Sequence, residues 1–323
     1  MARPGHVRIR PASDCDVADI VDLLNQHDPS PQTEGDFRRW LGTLSPRLAC
    51  RPFVALVGSG ELVGFAIFQQ TAINAPIGHY FVHLKVHETH RCQGVGARLW
   101  HQMTLEASRV SAKGLYTFVR EDDQPSRVWA ERRGFAVGLV RHESVLDVDA
   151  FAERRVGEQA RERARRCPTD TTIHDMSRYW IMGAEWTRLA GVFARLFGDS
   201  PGVPSPANTS FEEYFERTWI MNSRLDSRAF FVADHRGKWV GTAFAIRMRE
   251  HQPELWSQFT GVLPEFRGTG LAYALKLRTI LYAAANGFRQ MRAFNLSGND
   301  RMLAINDAFG FQRVPGLMWM IRG

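Results

Sequence analysis

Arg91-Cys92-Gln93-Gly94-Val95-Gly96-Ala97 and Arg267-Gly268-Thr269-Gly270-Leu271-Ala272 write one loop twice, as R-x-x-G-x-G and R-x-x-G-x-A. Gly94 and Gly270 stand 176 residues apart, and Gly134-Phe135 recurs as Gly310-Phe311 at the same interval. Upstream, Phe53-Val54-Ala55 returns as Phe231-Val232-Ala233, and Val63-Gly64 as Val240-Gly241. Each of these pairs brackets a glycine turn and reads as a β-hairpin. An apolar strand follows each hairpin, at 79–86 and 255–263, and leads into the loop. A helix comes next. Val95, Leu99, Met103 and Ala107 line one face of the first copy, and Leu271, Leu275, Ile280 and Leu281 line the second. Strands Leu115–Val119 and Met291–Leu296, a short helix, Gly-Phe and a last strand complete each copy.

The chain is thus a duplicated α/β protein of the α+β type, two tandem units that are each a mixed twisted sheet flanked by helices. Residues 14–27, 36–44, 185–197 and 210–222 supply the helices upstream of each hairpin, and 199–206 is a Pro-rich loop. The units span 1–150 and 170–323, with a charged helical linker at 151–169 whose arginines read as a solvated face. A length of 323 residues suits two domains of ordinary size. The net charge of +7 and pI of 9.6 favour an anionic ligand. Four scattered cysteines suggest neither a disulfide framework nor a metal site, and no apolar leader or membrane-length run is present, so a cytoplasmic protein is expected. No nucleic-acid motif accompanies the basic charge.

A strand that turns through glycines directly into a helix presents unpaired N–H groups and the positive end of the helix dipole to a phosphate. Glycine lets the backbone approach without a Cβ. Neither loop has the lysine of a P-loop, and both lack the third glycine of a dinucleotide fingerprint. Both match Q/R-x-x-G-x-G/A. Residues 86–99 and 262–275, with the hairpin before and Gly-Phe after, resemble the coenzyme A loop of the GNAT (GCN5-related) N-acetyltransferases, and the resemblance covers most of both halves.

That resemblance implies acetyl-CoA as cofactor and transfer of its acetyl group to a small-molecule primary amine, with no nucleic acid or membrane partner and a monomer or homodimer. It assigns cofactor binding to Leu84, Val86, Arg91, Gln93, Gly94, Val95, Gly96 and Ala97 in the first unit. In the second it assigns Gly261, Val262, Leu263, Arg267, Gly268, Thr269, Gly270, Leu271, Ala272 and Asn299. The family commonly uses a Glu on the strand before the loop as base; its common position falls on Trp256, and nearby Glu254 on the same strand face is the candidate, with His251 second and a solvated turn as the plain alternative for both. The family tyrosine that protonates the thiolate is missing: its positions hold Ala130 and Asn306. Asn306 can hydrogen-bond a thiolate. Asp123 stands where the second unit has Asn299, so chemistry is expected in the C-terminal unit. In the first unit Tyr80 matches Trp256, and His83, Trp100 and Trp129 read as packing residues. A non-catalytic acyl-CoA-binding protein is the alternative.

Overall fold

The computed structural model describes residues 7–26, 31–43, 48–58, 60–70, 77–177, 183–198, 225–247 and 252–323. His251, the helix expected at 210–222 and the loop 199–206 lie outside these residues.

The first unit contains β1 (Arg8–Pro11), α1 (Val17–Asn25), α2 (Glu34–Thr43), β2 (Cys50–Val57), β3 (Glu61–Gln69), β4 (His79–Val86), α3 (Val95–Arg109), β5 (Gly114–Arg120), α4 (Gln124–Glu131) and β6 (Ala136–Asp147). Two short helices follow, α5 (Val148–Ala152) and α6 (Glu158–Ala164). The second unit repeats the order with β7 (Thr171–Asp175), α7 (Gly183–Gly198), β8 (Leu225–His235), β9 (Lys238–Ile246), β10 (Glu254–Val262), α8 (Leu271–Ala285), β11 (Gln290–Leu296), α9 (Asp300–Phe309) and β12 (Gln312–Arg322).

The two units share one twelve-stranded sheet, ordered β1-β2-β3-β4-β5-β12-β6-β11-β10-β9-β8-β7. The order is palindromic: β1 to β5 plus β12 mirrors β7 to β11 plus β6. Each unit therefore closes with the other unit's last strand. Strand β12 pairs antiparallel with β5, β6 pairs antiparallel with β11, and the two exchanged strands pair with each other at the centre. The exchange reaches into both cores. Met318 and Met320 of β12 are buried among Val95, Leu99 and Met103 of α3. Leu146, Val148 and Phe151 are buried among Ile280, Met291 and Phe309 of the second unit.

The repeated Val-Gly has a packing reason. A Cβ on Gly64 would lie 2.9 Å from Leu99 Cδ1, and one on Gly241 3.0 Å from Leu275 Cδ1. The helix after each loop thus rests directly on strand backbone, which brings its N-terminus close to the sheet.

The linker departs from the solvated helix expected. It breaks at Gly157 (φ +83), where a Cβ would strike the Phe151 ring. Helix α6 then lies along α8 and α9 with Ala160 and Ala164 buried, while Phe151 packs on Phe309 with ring centroids 6.0 Å apart. Arg154, Arg155, Arg165 and Arg166 of the linker are exposed, but Arg161 lies half-buried 3.8 Å over the Phe151 ring, Arg163 is half-buried against Tyr273, and the alanine face is core.

Because Met320 is fully buried in the first unit yet encoded at the end of the second, Met320→Ala is expected to cost about 2–5 kcal/mol. Urea unfolding followed by tryptophan fluorescence should show the loss as one shifted transition of the whole chain.

Candidate active site

Both loops have the geometry that their sequence demands. Each follows a single 3-10 turn, Glu88–His90 or Pro264–Phe266. Gly94 (φ +85) and Gly270 (φ +83) are the N-caps of α3 and α8, in the left-handed conformation that favours glycine. The turns are braced locally: Gln93 Nε2 donates to Thr89 O at 2.7 Å, and Thr269 Oγ1 to Phe266 O at 2.7 Å. Arg91 and Arg267 are exposed. Val95, Gly96 and Ala97, and likewise Leu271, Ala272 and Tyr273, open their helices, so their N–H groups have no intrahelical acceptor. This is an anion cradle by construction and fits a pyrophosphate.

The surroundings of the loops differ. Nothing lies within 4 Å of a Cβ placed on Gly94. A Cβ on Gly270 would collide with the Arg163 carbonyl and lie 3.2 Å from Arg166 Cβ. Arg163 Nη1 also donates to Tyr273 OH at 2.5 Å. The linker therefore runs beside the second loop, and the exposed Arg166 adds positive charge there.

Behind each loop the parallel strands separate. Strand β4 pairs with β5 only from His79 to Phe81, and β10 with β11 only from Glu254 to Ser257. Beyond those points Leu84 and Val86, and Gly261 and Val262, have no partner on the β5 or β11 side, which leaves backbone polar groups open to a ligand. Leu263 follows, buried against α8. The strands are not equivalent, however. The register of β10 on β9 shifts between Ser257 and Phe259, whereas β4 on β3 is continuous. One extra residue, Gln258, makes the second strand longer. The slip corrects the equal-offset comparison: Trp256, paired with Arg292, matches Phe81, paired with Tyr116, and not Tyr80.

Glu254 is 8% exposed, which rules out the alternative of a solvated turn residue. It accepts from Trp256 Nε1 at 2.6 Å and from Arg292 Nη2 at 3.1 Å. Arg292 also lies 3.7 Å from Glu143, which Arg141 holds at 2.8 Å. These charges share the face of the sheet that carries α7, with Arg292 5.6 Å over the Trp256 ring. Asn299 and Asp123 serve alike as N-caps, accepting from Met302 N–H at 3.4 Å and Ser126 N–H at 3.0 Å. The two side chains thus play the same capping part in the folded chain. In the first unit, burial together with nearby Lys85 pushes the His83 imidazole down to about 4, so it is neutral near pH 7. Tyr80 stacks on Phe68, and Trp100 and Trp129 pack edge to face, as expected of wall and core residues.

Asn306 is 1% exposed, and its Nδ2 donates to Asn295 Oδ1 at 2.7 Å. Its own Oδ1 is buried without a partner. The sequence reading missed a second buried polar group of this unit. Lys276 of α8 is 1% exposed, with Nζ 3.2 Å from Ser257 Oγ and 4.7 Å from the Phe311 ring centroid. Burial pushes its amine down to about 7. The aligned positions of the first unit are Trp100 for Lys276, Val82 for Ser257, Val119 for Asn295 and Ala130 for Asn306. The first unit is apolar where the second is polar. A signal was available: Ala272, Lys276 and Ile280 recur every four residues, so the helical period puts a lysine on the core stripe.

The pattern that defines the Acetyltransferase (GNAT) family matches residues 17–135 and again 193–311. The chain belongs to the GNAT acetyltransferase family. Its two copies of that unit make it a tandem member. Over 267 residues it is 27% identical to the mycothiol acetyltransferase of Amycolatopsis mediterranei (strain U-32), covering 79% of this chain and 78% of that one. Its fold is similar to a tandem GNAT protein from the clavulanic acid biosynthesis pathway, with a TM-score of 0.76, 19% identity and 98% of each chain covered. A GCN5-related N-acetyltransferase from Sphaerobacter thermophilus is likewise similar, with a TM-score of 0.72, 17% identity and 99% and 96% of the chains covered. GNAT acetyltransferases take their acetyl group from acetyl-CoA, and the two loops of this tandem GNAT chain fit that donor's pyrophosphate. Among the described residues no helix is long and apolar enough to cross a membrane, and no cluster of side chains suits a metal ion.

Two stability tests follow from these charges. Arg292→Met leaves Glu254 and Glu143 without their shared cation, and is expected to cost about 3 kcal/mol in urea denaturation. For His83 the folded value lies below the unfolded one, so the unfolded chain binds the proton first on acidification. Stability from this group is full above pH 6.5 and is lost as pH falls through about 4. His83→Phe should therefore flatten the decline in melting temperature across that window.

Proposed function

We propose that this chain transfers the acetyl group of acetyl-CoA to the primary amine of a small molecule, with the chemistry in the C-terminal unit. The carrying observation is the polar interior behind the second loop: Lys276, Ser257, Asn295 and Asn306, set against Trp100, Val82, Val119 and Ala130 in the first. Burying polar groups is unfavourable unless they are satisfied. An orphaned Asn306 Oδ1 at the family's acid position is an acceptor waiting for a ligand N–H.

Arg267 and the N–H groups from Gly268 to Ala272 would hold the pyrophosphate, with Arg166 of the linker adding charge. The strand gap along Gly261, Val262 and Leu263 would receive the arm that ends in sulfur. When bound, acetyl-CoA supplies the activated acetyl group. Glu254 lies across the sheet, on the face that carries α7. Held by Arg292, its carboxylate is placed to hold an acceptor ammonium. The four cysteines are free, which supports a reducing, cytoplasmic setting. The shared sheet already pairs the two units within one chain, which supports a monomer.

One observation favours a second reading. The first loop is open at Gly94, whereas the linker lies against the second. On that reading the N-terminal unit holds acyl-CoA, through Arg91, Gln93, Gly94, Val95, Gly96 and Ala97 with Leu84 and Val86, and the chain senses it without turnover.

Substituting Gly270 would displace the linker as well as the phosphate, so the loop arginines give the cleaner test. Arg267→Glu is expected to abolish thiol release across a panel of small amines, and Arg91→Glu to spare most of it. The opposite pattern would move the chemistry to the N-terminal unit. Calorimetric binding of acetyl-CoA with no thiol release for any amine would favour the sensor.

A further inference from the structure

Lys276 is the most deeply buried cation described in the chain, and the packing around it does not neutralise it. Strand β10 presents Ser257, the start of β12 presents the Phe311 ring by way of the preceding turn, and its own helix presents Thr279, whose hydroxyl is spent on Lys276 O. Among the described residues no carboxylate pairs with it. The carboxylates Glu254 and Glu143 share a different face of the sheet, where Arg292 and Arg141 hold them. A buried ammonium with one hydroxyl partner is costly. Nothing in the shape of the core requires one, because the same position in the first unit is Trp100.

Its location supplies a reason. Ser257 is the last residue of β10 that pairs with β11, and the bulge at Gln258 follows immediately. The gap between the strands opens at that point. Asn306, with its orphaned oxygen, closes the same interior from α9, one turn before Phe311. Lys276 thus stands at the inner end of the gap that begins at the second phosphate loop. Resting on the C-terminal assignment above, we propose that Lys276 is a catalytic residue of that unit: its ammonium meets the donor's sulfur and gives the departing thiolate a proton, the task for which neither half has the family tyrosine.

The exchange balances. The acceptor nitrogen forms the C–N bond, and the C–S bond breaks with its electron pair left on sulfur. That sulfur takes the proton from Lys276. The acceptor nitrogen sheds its surplus protons to solvent, and the neutral lysine regains one from solvent. The lowered affinity of the buried amine for its proton makes the donation easy near neutral pH.

The test needs no acceptor. Coenzyme A bound to the full chain carrying Arg91→Glu, which confines binding to the second loop, is titrated by the ultraviolet absorbance of its thiolate. An ammonium at the sulfur is expected to make that thiolate form about 1–3 pH units lower than in the same protein with Lys276→Met. Affinity for coenzyme A should change by less than about tenfold. Lys276→Arg should keep the shift. Lys276→Met should melt no lower than its parent, since it replaces an unpaired buried charge with an apolar chain of similar length, so misfolding would not mimic the effect. Identical titrations with and without Lys276 would overturn the proposal and leave the cofactor assignment standing. Binding that survives Arg267→Glu but not Arg91→Glu would remove the C-terminal assignment, and this inference with it.

Discussion

The antiparallel pairing of β6 with β12 at the centre of the sheet governs the rest of the structure. Each strand ends one unit in sequence and completes the other in space. Once β6 is fixed beside β11, the chain must travel to β7 at the far edge of the same unit. The path runs over α8 and α9, so the linker has to pack there. Its alanine face, the Phe151–Phe309 contact and the approach of Arg163 to Gly270 follow from that route. No described segment takes the corresponding path across α3 and α4. Two loops with matching sequence and matching backbone thus sit in different environments.

The duplication also separates packing from chemistry. Both units keep the parts that any unit of this family needs to fold: the hairpin, the Val-Gly step that seats a helix on the sheet, the left-handed glycine at the helix start and the capped helix before Gly-Phe. The interiors differ in the layer between helix and strand. There the first unit places the apolar Trp100, Val82, Val119 and Ala130, and the second places Lys276, Ser257, Asn295 and Asn306. An apolar layer stabilises its unit. A polar layer weakens its unit unless a ligand satisfies it, and the orphaned Asn306 Oδ1 marks that cost.

The loops were legible because their conformation depends on a few neighbouring residues. A glycine with positive φ before an apolar helical stripe means much the same in any fold. The same holds for the hairpins, for β4 and β5, and for their counterparts β10 and β11, whose boundaries differ from the sequence reading by about one residue. The candidate catalytic groups were less legible. The solvated alternative for Glu254 fails because Arg292 reaches it from a strand 38 positions away in the chain. Asn299 and Asp123, which differ in sequence, share one local role as helix N-caps, and that role is legible from their position before each short helix.

The sequence by itself determined that the chain is a tandem repeat, that each copy ends a strand in a phosphate loop, and that neither copy has the family tyrosine. These are local or self-comparing properties, and offsets along the chain measure them directly. Only the tertiary structure decided which unit each last strand completes, because strand pairing is indifferent to distance along the chain. It decided that a single inserted residue, Gln258, slips the two halves out of equal offset, because a bulge shows only against the neighbouring strand. It decided that Lys276 is buried and that the second loop has the linker beside it. Burial is a property of what packs against a residue, and here the packing partners come from strands and helices far apart in the chain.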